Sequence, residues 1–306
     1  GKLDRLDVEA ASQAIETHVG IPLGLTILEA AEAILTVANS RMAGAIRLVG
    51  IERGFDPKQF AFMPFGGGGA LHAGAMLAET GIARAIVPRY PGVTSAMGCV
   101  IADMRQDFVQ TINTLVNTLD EEALAGFMQS HVDQGLALLV ASRTNFESQE
   151  LSFELDMAYI GQTHTVSVPI EVAVTDGAVV PPTKAQIEAA FDAAYQATFG
   201  RLLKNGVRRI LNLRSAVTGK RPKFDLATLA PTTQGAAIPT ATRRVHFGTQ
   251  WHDTAIYNRL SLPVGAIIKG PAILTQPDTT VLIEPDLQGR VDSFGNTIIE
   301  PQEATS

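Results

Sequence analysis

Cysteine occurs once in the 306 residues, at Cys99, so no internal disulfide can staple this chain. That usage fits a reducing cytoplasm and a thiol that fills a core position. Basic runs are absent and the net charge is −7, which argues against a nucleic-acid partner. No apolar run reaches the length of a membrane span and the N-terminus has no secretory apolar region, so nothing points to a membrane or an export route. The chain begins with Gly1 rather than Met, which is expected of a processed or an engineered piece and does not distinguish the two. Metal-ligand spacing is missing too. His246 and His252 lie six apart in a β-rich stretch, while His131 and His164 are isolated, so no metal site is expected. Cys99 has no positive neighbour to lower its pKa, and no G-x-S-x-G frames Ser95. No catalytic residue is assigned.

What remains is a globular composition, 46% apolar and 18% charged, long enough for one large domain or two medium ones. Its centre is Phe60–Ala75, FAFMPFGGGGALHAGA. Phe60–Phe65 reads as a short buried strand, Gly66, Gly67, Gly68 and Gly69 as a turn, and Ala70 onward as a helix. Glycines let a ligand approach the backbone closely, and the free N–H groups of a first helical turn favour an anion. Tight turns and close packing use the same residues, so the run alone leaves both readings open.

Around it the pattern is regular. Val8–His18 fits a short helix capped by Asp7. Thr26 and Glu29 have capping-box spacing, and Leu28, Ala31, Leu35, Ala38, Met42, Ile46 and Val49 mark one apolar face of a long core helix that Gly54 ends. Asn39 and Arg41 are its polar exceptions. Ala70–Glu79, stopped by Gly81, and Ala83–Val87 complete a βαβ-like unit. Val93–Ala102 suits a tightly packed helix. Asp103, Arg105 and Asp107 alternate as on a strand, where a salt-bridged edge competes with a catalytic role. Helices follow over Asp120–Ser142 and Thr183–Phe199, with His131 structural. Strands are expected from Gln149, over Thr163–Val168 and over Val207–Val217. A Pro-, Thr- and Gly-rich linker (219–242) precedes a tail of short strands divided by Gly and Pro.

Several of these stretches resemble one family. EAAEAILTVANSRMAGAIR, ERGFDPKQF, FGGGGALHA and VPRYPGVTSAMGCVIADMRQDF are similar to hydantoinase A and 5-oxoprolinase proteins, which include acetone and acetophenone carboxylase subunits. YIGQTHTVSV, ILNLR, KGPAILTQPDTTVLIEP and FGN continue the resemblance in the same order. It implies an α/β fold: the second half of an actin, Hsp70 and sugar-kinase-like ATPase, then a β-rich C-terminal module. The expected segments are 1–115, the adenosine side of the nucleotide site, 116–220, an α+β continuation, and 221–306, the β-rich module.

By the same resemblance, Gly66, Gly67, Gly68 and Gly69 hold the adenosine side of ATP, and either Asn39 or Arg41 reaches adenine or ribose. His72 either orients the turn or is a core histidine bonded to backbone. No Asp-Gly-Gly-Thr-like phosphate loop occurs in the chain, so that loop and the Mg²⁺ ligands are expected on an N-terminal half supplied elsewhere. The implied enzyme phosphorylates an oxygen of a cyclic amide, and a hydantoinase B-type subunit completes the hydrolysis in a hetero-oligomer. Ketone carboxylation and a non-catalytic scaffold are the alternatives. The usual family run is FGGAGPLHA. Here Gly68 stands for Ala and Ala70 for Pro, changes that keep the turn open. FGRLL near Gly200 and Arg209 before ILNLR depart further, and they bear on the substrate more than on ATP.

Overall fold

The computed structural model describes residues 6–52, 54–175, 177–203 and 206–302. Asp7 caps α1 (Val8–Ile15), accepting from the Ala10 amide at 2.9 Å. A π-helical turn leads into α2 (Ile21–Leu23) and then α3 (Ile27–Glu52). The capping box forms: Thr26 Oγ1 accepts from Glu29 N at 3.3 Å, and the Glu29 carboxylate accepts from Thr26 N at 2.8 Å. Beyond the glycine run come α4 (Ala73–Thr80), stopped by left-handed Gly81, then β1 (Ala85–Val87) and α5 (Thr94–Ile101). Next are β2 (Met104–Leu115), α6 (Glu121–Ala141), β3 (Ser148–Tyr159), β4 (Val166–Ile170), β5 (Ala173–Thr175), β6 (Ala178–Val180), α7 (Lys184–Phe199) and β7 (Arg208–Lys220). The tail holds β8 (Ala241–Phe247), β9 (Gln250–Asn258), β10 (Ile267–Lys269), β11 (Ala272–Gln276), β12 (Thr279–Ile283), β13 (Leu287–Val291) and β14 (Thr297–Pro301). The fold is mixed α/β with several sheets, as the family resemblance implies.

The chain forms two compact units, Val100–Phe224 and Gly1–Cys99 with Asp225–Ser306. This division differs from three consecutive segments. In the first unit an antiparallel sheet, β2-β7-β3-β4, packs one face against α6 and α7. Phe153, Leu155 and Met157 alternate into that core with Leu124, Met128, Ile187, Phe191 and Leu213. Asp120 and Thr183 cap the two helices, Thr183 in a capping box with Gln186. His131 is buried, its Nδ1 2.9 Å from Ser215 Oγ, and burial holds its pKa below the ordinary value. On edge strand β2, Arg105 pairs with Asp107 at 2.8 Å, while Asp103 pairs with Lys220 at 3.0 Å. That is the salt-bridged edge, and it leaves no reason to invoke catalysis there.

In the second unit, sheets β1-β14-β13-β10 and β12-β11-β9-β8 share a core with the glycine segment. Ala70, Ala73, Leu77 and Val87 pack with Leu274, Val281, Ile283 and Ile299. The non-local pairing of β1 with β14, Ala85 opposite Ile299, ties the tail to the βαβ-like unit.

Three expectations are corrected. The strand over Phe60–Phe65 reduces to one parallel bridge, Phe62 to Ala85, because Pro64 cannot donate and the glycines turn the chain at once. The expected apolar face of α3 is core only in part: Leu28, Leu35, Met42 and Val49 are 37–59% exposed, whereas Ala31 and Ala38 are half-buried and Ile46 packs on the core. Apolar residues occur on more than one side of that helix, and its inner side is the one carrying Asn39, Ala43 and Ile46. Cys99 is exposed, and α5 buries none of its residues. Apolar composition there signalled hydrophobicity without a neighbour to cover it.

Candidate functional site

Phe62 fixes the entry to the glycine run. Its amide donates to Arg84 O at 3.0 Å and its carbonyl accepts from Ile86 N at 2.7 Å, so the chain arrives parallel to β1. Gly66 has φ +81°, which an L side chain adopts only with strain, and its amide donates to Pro91 O at 2.7 Å. Gly67 and Gly68 are exposed, and their amides have no partner among the described residues. A Cβ added at Gly68 would meet nothing within 4 Å, whereas one at Gly69 would rest on Pro64. The chain then makes one 3₁₀ turn, Gly69–His72, before α4 begins three residues later than the sequence suggests.

The turn rests on the β-rich tail. Thr279 Oγ1 donates to Gly67 O at 3.1 Å, and an added Cβ at Gly67 would sit 3.4 Å from Asp278 O. Asp278 Oδ2 accepts from Gly92 N at 2.9 Å, and a Cβ at Gly92 would come within 2.5 Å of that oxygen. Gly92 is therefore needed for close approach. Asp278 and Thr279 were not singled out from the sequence; the signal was their place in KGPAILTQPDTTVLIEP, a stretch that resembles the family as the glycine run does.

Asn39 and His72 are brought together, with His72 Nδ1 2.8 Å from Asn39 Oδ1. With the amide oxygen as acceptor, Nδ1 is the donor, and the pair fastens the end of the 3₁₀ turn to α3. Arg41 is exposed and lines a groove with Val19, Leu23, Ile34 and Val37. Glu284, just after β12, lies against α4, where a Cβ at Gly74 would come within 2.6 Å of its Oε1. Burial pushes its carboxyl above the ordinary range, and a hydrogen bond from Ala75 N opposes that. Among the described residues no three His, Cys, Asp or Glu side chains converge as a metal-ligand set.

The arrangement can hold an anion at the free amides of Gly67 and Gly68, with the first turns of α4 behind them. Its donors are backbone groups, which suit recognition of charge and shape and cannot themselves transfer protons. The exposed glycines also leave room for the body of a ligand to lie flat on the turn.

The profile of the hydantoinase/oxoprolinase family matches residues 1–108, and that of the hydantoinase/oxoprolinase C-terminal domain matches residues 121–303. The chain is 29% identical over 303 residues to caprolactamase subunit alpha of Pseudomonas jessenii, covering 97% of this chain and 43% of that subunit. The crystal structure of the ATP-dependent caprolactamase from Pseudomonas jessenii superposes with a TM-score of 0.71 at 27% identity, over 99% of this chain and 44% of that one. Nucleotide-free acetone carboxylase gives 0.73 at 21% identity, over 97% and 43%, a likeness of fold. The chain thus spans less than half the length of these relatives.

Proposed function

We propose that this chain, which belongs to the hydantoinase/oxoprolinase family, supplies the adenosine side of an ATP site in an enzyme that activates a cyclic amide for hydrolysis. The carrying observation is the pair of exposed, unpartnered amides at Gly67 and Gly68, held in a turn whose underside is fixed by Thr279 and Asp278. Gly66 and Gly69 give that turn its shape, and Asn39 and His72 set its distance from α3. The residues fit an anionic, flat ligand: the donors are backbone amides, and there is open space at Gly68.

The chemistry explains the need for ATP. An amide carbon is a poor electrophile because the nitrogen lone pair delocalises onto oxygen, and phosphorylating that oxygen removes the stabilisation. In this reading the phosphate loop and the Mg²⁺ ligands lie on a portion outside this chain, an N-terminal half of the hydantoinase A type. A hydantoinase B-type subunit carries the hydrolysis. The outer face of α3 is the surface assigned to the N-terminal half: Ile34, Val37 and Leu48 are 43–58% exposed, and clustered exposed apolar side chains of this size are ordinarily covered by a partner.

A ketone carboxylase subunit is the second reading, supported by 25% identity to the acetone carboxylase beta subunit of Xanthobacter autotrophicus over 299 residues. The higher identity to the caprolactamase favours the amide. Hydrogen exchange followed by mass spectrometry tests the site: ATP added to the full protein should slow exchange in the segment 64–73. Unchanged exchange there at saturating ATP would refute the assignment.

A further inference from the structure

Arg259, at the end of β9, is buried to 4% exposure and contacts no carboxylate among the described residues. All five of its N–H donors are nonetheless used. Nε donates to Thr297 Oγ1 at 3.1 Å, one terminal nitrogen to Arg89 O at 2.9 Å and Gln276 Oε1 at 2.7 Å, and the other to Val87 O at 2.8 Å and Pro88 O at 2.6 Å. Burial lowers its pKa to about 10, with Arg89 adding to the effect and Asp278 and Asp292 opposing it. A guanidinium is an expensive group to bury without a counter-charge. What it holds is specific: three successive carbonyls of the strand end that leads to Pro91 and Gly92.

The chain of bonds continues to the glycine turn. Gln276 Nε2 donates to Asp278 Oδ1 at 2.5 Å, Asp278 Oδ2 accepts from Gly92 N, and Pro91 O accepts from Gly66 N. Thr279, the next residue, holds Gly67 O. The geometry points to Arg259, Gln276 and Asp278 as positioning residues that set the placement of the glycine turn from beneath. The fork of an arginine can serve carbonyls on several sides at once, which a lysine, a point charge with three donors, cannot. The tail and the glycine run are accordingly one device, built from residues almost two hundred positions apart in sequence. Its consequence for nucleotide affinity rests on the proposed ATP site, whereas the positioning itself does not.

The test uses the full protein with Asp278→Ala and Arg259→Lys. Amide exchange is read over 64–73, with 148–159 as the internal reference and a non-hydrolysable ATP analogue as the binding probe. Asp278→Ala should speed exchange over 64–73 about tenfold, leave 148–159 unchanged and weaken the analogue about tenfold; Arg259→Lys should do the same. If Arg259→Lys does not fold, Asp278→Ala, a partly exposed site, carries the test. Unchanged exchange over 64–73 in folded Asp278→Ala would overturn the positioning role. Faster exchange with unchanged analogue affinity would uphold that role and overturn the nucleotide reading of the turn.

Discussion

Gly67→Val separates binding from folding at the glycine turn. The added Cβ would sit 3.4 Å from Asp278 O, an ordinary contact, and Gly67 is exposed with no positive φ. The stability cost should therefore stay within about 1 kcal/mol, a shift of roughly 2–4 °C in Tm for a domain of this size. Binding is affected differently. The valine methyls occupy space beside the two free amides and keep a phosphate oxygen from the ~2.9 Å approach a hydrogen bond needs. Hydrogen bonds to a charged group contribute about 1.5–3 kcal/mol each, so losing both weakens ATP binding by at least about 3 kcal/mol, or roughly a hundredfold in Kd. Gly68→Ala is the control, since the family's usual run carries alanine there and the site is open; it should change Kd by less than about threefold. Calorimetric titration of an ATP analogue beside a melting curve reads both quantities. A folded Gly67→Val protein with unaltered Kd would refute the reasoning.

Other outcomes follow from the packing. Gly135→Ala should destabilise by about 1–3 kcal/mol in urea unfolding, because its Cβ would lie 2.6 Å from Val217 Cβ beneath α6. Buried His131 is held neutral, with its folded pKa below 6.5, so the unfolded chain takes up the proton first as pH falls. Its contribution is fully present above about pH 6.5 and is lost as pH drops through that window toward the lowered value; His131→Gln should flatten the urea midpoint between pH 7.5 and 5.5. Ile34→Lys with Leu48→Lys should leave the far-ultraviolet circular dichroism unchanged and release the chain from an N-terminal half of the hydantoinase A type on size exclusion; undiminished association would exclude this face as the dock.

Local chemistry was legible in the sequence. Asp7, Thr26 with Glu29, Asp120 and Thr183 start helices where they stand, and Gly81 stops one, because caps act within a single turn. Short tail strands over Thr280–Ile283 and Thr297–Ile299 were visible from Gly and Pro punctuation, and they fall within β12 and β14. Pairing was not. Nothing local announces that Ala85 lies opposite Ile299, or that Asp278 reaches Gly92, since such contacts depend on strands far apart in sequence coming together. Periodicity likewise identifies the apolar residues of α3 without saying which side of the helix finds a partner within the chain. The glycine run was found for its flexibility, while the residues beneath it, Arg259, Gln276, Asp278 and Thr279, look individually like ordinary polar positions of a β-rich tail.

Phosphate release from ATP by the full protein is the most direct measurement of the central claim. It should be compared with 5-oxoproline or caprolactam as substrate and with acetone plus bicarbonate. The account predicts stimulation by a cyclic amide, with ring-opened product formed in step with phosphate. Stimulation by acetone with bicarbonate alone, or ring opening without ATP, would contradict it.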